Sequence, residues 1–154
     1  SRGIGRALAL ALAGRGQRLL LTARDEARLA EVAALVRRAG GEALVVPGDL
    51  GSLAGARGLG RSLAQVVARP ATLVLNAGIW PSRRECGDDG LERAFVVNAV
   101  APAVVAAPLL EGGRVQRVFA IGAGLMVRGR FDPERTPTGD DFSALRTYAS
   151  TKLA

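Results

Sequence analysis

Four short apolar runs constrain this chain more than any other feature: "QRLLLTAR", "EALVVPGDL", "ATLVLNAG" and "RVFAIGAG". Each is nearly continuous in hydrophobic residues rather than alternating, the pattern of a strand covered on both faces, and each runs into glycine or a polar residue. Strands are expected over 17–24, within 42–50, over 71–76 and over 117–121. Between them the period changes to that of a helix. "RALALALA" (6–13) favours helix. "DEARLAEVAALVRRAGG" puts Leu29, Val32, Ala33 and Val36 on one face, opens with acidic residues and stops at Gly40-Gly41, as a capped amphipathic helix does. "SLAGARGLGRSLAQVVA" reads as a helix weakened by Gly55, Gly58 and Gly60. Strand alternating with helix predicts an α/β fold with a doubly wound parallel sheet, in one domain over residues 1–154.

Ligands of such sheets bind beyond the carboxyl ends of the strands. Asp49, Asn76 and Gly122 to Gly124 stand at those ends, and "SRGIGRALA" would aim backbone N–H groups at a phosphate. The one long irregular stretch, 122–141, is rich in Gly, Pro, Arg and Asp, and loops of that length commonly carry function.

Composition removes several chemistries. The 154 residues contain no histidine and one cysteine, Cys86, so histidine triads, histidine-held metals and intrachain disulfides are excluded, and no metal is expected. A lone cysteine suits a reducing compartment, and a cytoplasmic location is expected. The net charge of +7 rests on scattered arginines without interleaved aromatic residues, which argues for solvated helix faces and against a nucleic-acid surface. The longest apolar stretch, Ala94 to Leu110, is interrupted by Asn98, Pro102 and Pro108 and is expected to fall short of a membrane-spanning helix.

The only tyrosine and the only lysine, Tyr148 and Lys152, are four residues apart in "YASTK". On a helix they share one face. A phenol alone is a poor acid or base at neutral pH, but a neighbouring ammonium stabilises the phenolate, so such a pair can move a proton.

Taken in order, these motifs resemble those of the short-chain dehydrogenases/reductases. "SRGIG" resembles the tail of that family's T-G-x-x-x-G-x-G cofactor loop, and "GDL" its adenine-contacting Asp-Leu. "LNAG" is similar to its N-A-G, "DGLERAFVVNAVAP" to its D-G-x-E-x-x-F-x-V-N helix start, and "YASTK" to its Y-x-x-x-K. The resemblance implies a Rossmann-type fold and an oxidoreductase interconverting a carbonyl and an alcohol. Ser1, Arg2, Gly3, Ile4 and Gly5 would bind the pyrophosphate, and Asp49 and Leu50 the adenine. Asn76, Ala77 and Gly78 would line the adenosine side. Arg24, with Arg2, would embrace a 2'-phosphate, which makes NADP(H) the expected cofactor in preference to NAD. Tyr148 would act as general acid/base. Lys152 would assist it and hold the nicotinamide ribose, and Asn98 would organise the lysine and a relay water, although a buried helix amide satisfied locally is the alternative.

Two departures qualify the resemblance. Gly122 and Ala123 occupy the place of the family's catalytic serine, and no serine lies anywhere in 111–142; Thr136 and Thr138 are flanked by proline and poorly set for the role. A catalytically weak or inactive nucleotide-binding homologue is therefore the alternative. Ala123 and Tyr148 are 25 residues apart, a long insert similar to that of the retinol-dehydrogenase-like branch, which includes WW-domain oxidoreductase and protochlorophyllide reductase relatives. That likeness implies a lipophilic carbonyl or alcohol substrate, and Leu125, Met126, Val127 and Phe131 would line its site or cover the core. The family's first strand and its C-terminal strands have no counterpart here, so the chain is expected to be part of a larger domain whose second and fourth strands lack their common neighbour. The family's habit of pairing the helices at 90–110 and from 145 onward implies a homodimer or homotetramer.

Overall fold

A computed structural model describes residues 2–68 and 70–154, and Ser1 lies outside the described residues. The chain divides into two compact units, one ending at Asp49 and the other beginning at Leu50. Each is an arrangement of helices on a two-stranded parallel sheet.

The first unit contains α1 (Gly3–Ala13), β1 (Arg18–Leu21), α2 (Glu26–Arg38) and β2 (Glu42–Val45). Gly3 to Gly5 lie within the first turn of α1, so this helix begins earlier than residue 6. The α2 helix forms as its pattern dictates. Asp25 caps it by accepting from Arg28 N at 3.0 Å, and Leu29, Val32, Ala33 and Val36 are its buried face. Gly40 then takes a positive φ of 90°. Gly41 touches α1 so closely that a Cβ there would lie 2.9 Å from Ala13 Cα. Ala9, Ala13, Val32 and Val36 make the core, with Leu19, Leu21 and Ala43 packed on it. β1 and β2 pair from Arg18 opposite Glu42 to Leu21 opposite Val45.

The second unit contains α3 (Leu53–Val66), β3 (Ala71–Leu75), α4 (Arg93–Phe95), α5 (Ala101–Glu111), β4 (Val115–Ala120) and α6 (Ala144–Leu153). Helix α4 passes through a π-helical turn, Val96–Val100, straight into α5, giving one helix over Arg93–Glu111. Despite its three glycines α3 is unbroken, because Ser52 caps it and Gly60 earns its place by contact. A Cβ on Gly60 would lie 3.1 Å from Pro108 Cγ and 3.3 Å from Val104 O, so the glycine lets α3 and α5 approach. Leu59, Leu63, Val105 and Leu109 are buried. By length and apolarity the 19-residue helix Arg93–Glu111 could cross a membrane, contrary to the sequence expectation. Its buried residues Ala94, Val96, Val97, Ala101, Val105, Ala106 and Leu109 are those of a core helix.

β3 and β4 pair in parallel, with a register shift between Ala71 and Thr72. Among the described residues β1 bonds to β2 alone and β3 to β4 alone. The expectation of strands buried on both faces fails: in β4 every residue after Val115 is exposed, Phe119 at 56%. A strand with one paired neighbour and one covered face at most cannot bury the apolar run that its sequence supplies.

Candidate active site

In the first unit the expected cofactor residues gather at the carboxyl ends of β1 and β2. The two segments stay parallel beyond the strands through Val46 N to Leu21 O (2.9 Å) and Gly48 N to Ala23 O (3.1 Å). That brings Arg24 Nε to 3.8 Å from Asp49 Oδ1, an exposed ion pair. At the start of α1, Arg2 is extended and provides no side-chain cap, and no acidic residue occupies the first turn. Gly3 has φ 54° with open space where a Cβ would stand. Among the described residues no side chain caps the backbone donors of that first turn, a geometry that suits an anionic ligand. Ile4 is exposed at 66%.

In the second unit Asn76 follows β3, and Ile121 N donates to Leu75 O (3.0 Å), so the ends of β3 and β4 lie side by side. Around them the proton-transfer candidates converge. Lys152 Nζ donates to the Ile121 carbonyl at 3.2 Å. Gly78 faces this ammonium: a Cβ on it would lie 2.9 Å from Lys152 Nζ and 3.3 Å from Asn98 Oδ1. Burial pushes the Lys152 pKa below the ordinary lysine value, because the charged form loses hydration. Ala77 and Gly78 are exposed, and Leu50 is half-buried at the start of the unit.

Asn98 is buried at 8% exposure on the π-helical turn, an element that often marks functional sites. Its Oδ1 accepts from Ile79 N (2.8 Å), and its Nδ2 donates to Ile79 O (3.0 Å) and to Thr151 Oγ1 (3.0 Å). Thr151 Oγ1 in turn donates to Thr147 O at 2.7 Å. The amide is therefore satisfied by partners far away in sequence, not locally. Tyr148 lies half-buried on α6, its ring centroid 4.6 Å from that of Trp80 and tilted by 33°. Ile79, Trp80 and Thr151 are the site residues that sequence reasoning passed over. Their only signal was adjacency to "LNAG" and membership of "YASTK".

Both threonines of the insert are engaged within it. Ala123 leads into a single 3₁₀ turn, Gly124–Arg128, and its carbonyl accepts from Met126 N. Thr136 is buried and bonded to Asp132 N and Asp141, while Thr138 bonds to Asp140 and the Arg135 carbonyl. The long insert is a tied loop: Arg84 holds Asp140 (2.9 Å) and Thr138 O (3.0 Å), and Glu92 N donates to Pro137 O (2.7 Å). On it Met126 and Val127 are exposed and Leu125 is half-buried, while Phe131, also exposed, stacks its ring on that of Phe95 at a centroid distance of 6.1 Å. A cavity of about 320 Å³ runs along α6, lined by Arg128, Arg130, Ser143, Leu145, Arg146 and Ala149, and none of Asn98, Tyr148 and Lys152 lines it. Among the described residues no group of three or more His, Cys, Asp or Glu side chains is disposed to hold a metal ion.

Residues 1–114 match the family model of the short chain dehydrogenases. The chain belongs to that family. Relatives within it include polyprenol dehydrogenase of Mus musculus, 32% identical over 99% of this chain and 48% of that protein. Retinol dehydrogenase 14 of Mus musculus is 28% identical over 99% of this chain and 50% of its own length. The chain thus spans about half the length of the curated relatives it matches. Among solved structures, a short-chain dehydrogenase from Sphingobium yanoikuyae in complex with NADPH superposes with a TM-score of 0.73 at 28% identity, covering 98% of this chain and 56% of that one. The fold is the Rossmann-like α/β fold of this family. Each unit by itself has residues that suit part of the nicotinamide dinucleotide that the family implies: the first a helix start without a side-chain cap at Gly3, the second a lysine and an asparagine converging where a side chain on Gly78 would stand.

Proposed function

We propose that the chain carries the proton-transfer residues of an NADP(H)-dependent oxidoreductase that interconverts a lipophilic carbonyl and its alcohol. The observation that carries this reading is the convergence of Lys152 Nζ, Asn98 Oδ1 and Gly78 at the ends of β3 and β4, with Tyr148 on the same helix as the lysine. When bound, the nicotinamide supplies or accepts the hydride. Tyr148 donates its phenolic proton to the carbonyl oxygen in reduction and takes it back from the alcohol in oxidation. The Lys152 ammonium stabilises the phenolate that remains, and its bond to the Ile121 carbonyl fixes its tip. Asn98 holds the backbone of Ile79 and the side chain of Thr151, fixing the β3 loop against α6. Arg24, exposed just beyond the end of β1, supports NADP(H) over NAD, since a guanidinium suits a phosphate. The exposed Met126, Val127 and Phe131, together with relatives named for polyprenol and retinol, support a lipophilic substrate.

A second reading, a catalytically weak nucleotide-binding homologue, is favoured by Ala123, because losing one preorganised donor typically costs about 10²- to 10³-fold in rate. One experiment separates the two. In the whole protein, NADPH oxidation is measured with a panel of lipophilic aldehydes, alongside Tyr148→Phe and Ala123→Ser. The oxidoreductase reading expects turnover that Tyr148→Phe abolishes and Ala123→Ser raises. NADPH binding without turnover, unchanged by Ala123→Ser, selects the second reading, and absence of nicotinamide cofactor binding overturns both.

A further inference from the structure

Trp80 is the only tryptophan of the chain and its ring packs on the ring of the only tyrosine. We propose that Trp80 is a positioning residue for Tyr148, fixing the phenol where the hydroxyl missing at Ala123 would otherwise share the work of orienting the carbonyl; the proposal rests on the oxidoreductase reading above.

Three constraints fix the backbone segment that carries the indole. Before it, both backbone polar groups of Ile79 are bonded to the Asn98 amide, at 2.8 and 3.0 Å. After it comes Pro81, which is buried, and a residue preceding proline is confined to extended backbone. Opposite it, Asn98 Nδ2 also bonds Thr151 Oγ1, three residues beyond Tyr148 on α6. The amide therefore ties the segment that carries the indole to the helix that carries the phenol. The two rings meet with centroids 4.6 Å apart and tilted by 33°, within the range in which aromatic pairs attract. Trp80 keeps 53% of its surface exposed, so it contacts Tyr148 and still leaves apolar surface open to a ligand.

The chemistry gives this contact weight. In a site with a serine, two hydroxyls grip the carbonyl oxygen; here the phenol alone grips it, and a swing of its side chain about the Cα–Cβ bond would carry the hydroxyl away. A ring held on one face by an indole loses that freedom. Misplacement by about 1 Å can cost on the order of 100-fold in rate, so the contact acts on turnover more than on binding.

The test uses the whole protein, NADPH and a lipophilic aldehyde that the parent reduces. Trp80→Leu is expected to lower kcat about 10-fold or more with KM changed less than about threefold, and Trp80→Phe, which keeps a ring, to recover most of the loss. A rise in KM with kcat intact, or Trp80→Phe no better than Trp80→Leu, overturns the proposal. A second measurement needs no turnover. The emission of Trp80, taken as the difference between the parent and Trp80→Phe, is expected to be quenched more strongly by acrylamide in Tyr148→Leu and unchanged in Tyr148→Phe. Equal quenching in the parent and Tyr148→Leu overturns the ring contact and the proposal with it. A parent that oxidises no NADPH with any carbonyl, yet shows the quenching difference, removes the oxidoreductase reading and upholds the pairing of Trp80 with Tyr148.

Discussion

Two glycines of the second unit are closed to a side chain for different reasons, and they should fail differently. At Gly78 an added Cβ meets the tip of Lys152 at 2.9 Å, the free end of a flexible chain that can swing aside. Gly78→Ala should therefore leave the melting temperature nearly unchanged while drawing the ammonium off the Ile121 carbonyl, and kcat should fall by up to about 100-fold. At Gly129 the Cβ would lie 2.6 Å from the carbonyl oxygen of Ala149 in α6, and backbone cannot yield so easily. Gly129→Ala should destabilise by about 1–3 kcal/mol, read by denaturant unfolding. A Gly78→Ala protein with full activity would mean that the lysine tip lies elsewhere. Residues of this kind mark the limit of sequence reading. Tyr148 and Lys152 stood out because their spacing puts both on one helix face, and Asn98 because its segment resembles a motif of the family. Trp80, Ile79 and Thr151 did not, because their roles depend on contacts with residues far along the chain that no local pattern encodes.

Among the elements, the entry to helix Arg93–Glu111 carries the most unusual cap. Glu92 is buried at 1% exposure; its Oε2 accepts from Phe95 N at 2.9 Å, while Oε1 has no hydrogen-bond partner. Burial raises its pKa above the usual carboxylate value. A carboxyl raised in the folded state contributes stability that is complete below its unfolded pKa and is lost as pH rises through the folded one. Glu92→Gln keeps the acceptor for Phe95 N and removes the charge. Its melting temperature should exceed the parent's at pH 7 and equal it near pH 3, as followed by circular dichroism; a constant difference across pH would refute this account. Helices were the legible part of the fold. The buried face of α2 is the one its spacing gives, and α3 survives three glycines because Gly60 is a contact that propensity does not count.

At the scale of the whole molecule, the four apolar runs correctly announced parallel strands but not how many neighbours each would find. Each sheet has two strands among the described residues, and two-stranded sheets are marginal alone. Val118, Phe119 and Leu44 are exposed at 40, 56 and 43%. Exposed apolar strands invite association. The 154 residues expressed by themselves should bind a hydrophobic dye and self-associate in sizing chromatography, and Phe119→Ser should reduce both. A monodisperse chain that binds no dye would show this surface to be harmless.

The π-helical turn at Val96–Val100 has a consequence for insertions and deletions. Such a turn stores one residue more than a regular helix needs, so the helix on either side keeps its rotational phase. Deleting Ala99 should let the turn relax into regular helix, leaving Val105 and Leu109 still aimed at the core while Asn98 loses its grip on Ile79. Deleting Ala103 instead would rotate everything after it by about 100°, the angle between successive residues of a helix, and turn that buried face outward. One site within the helix thus tolerates the loss of a residue at the expense of the proton-transfer network alone, and its neighbours four residues on do not.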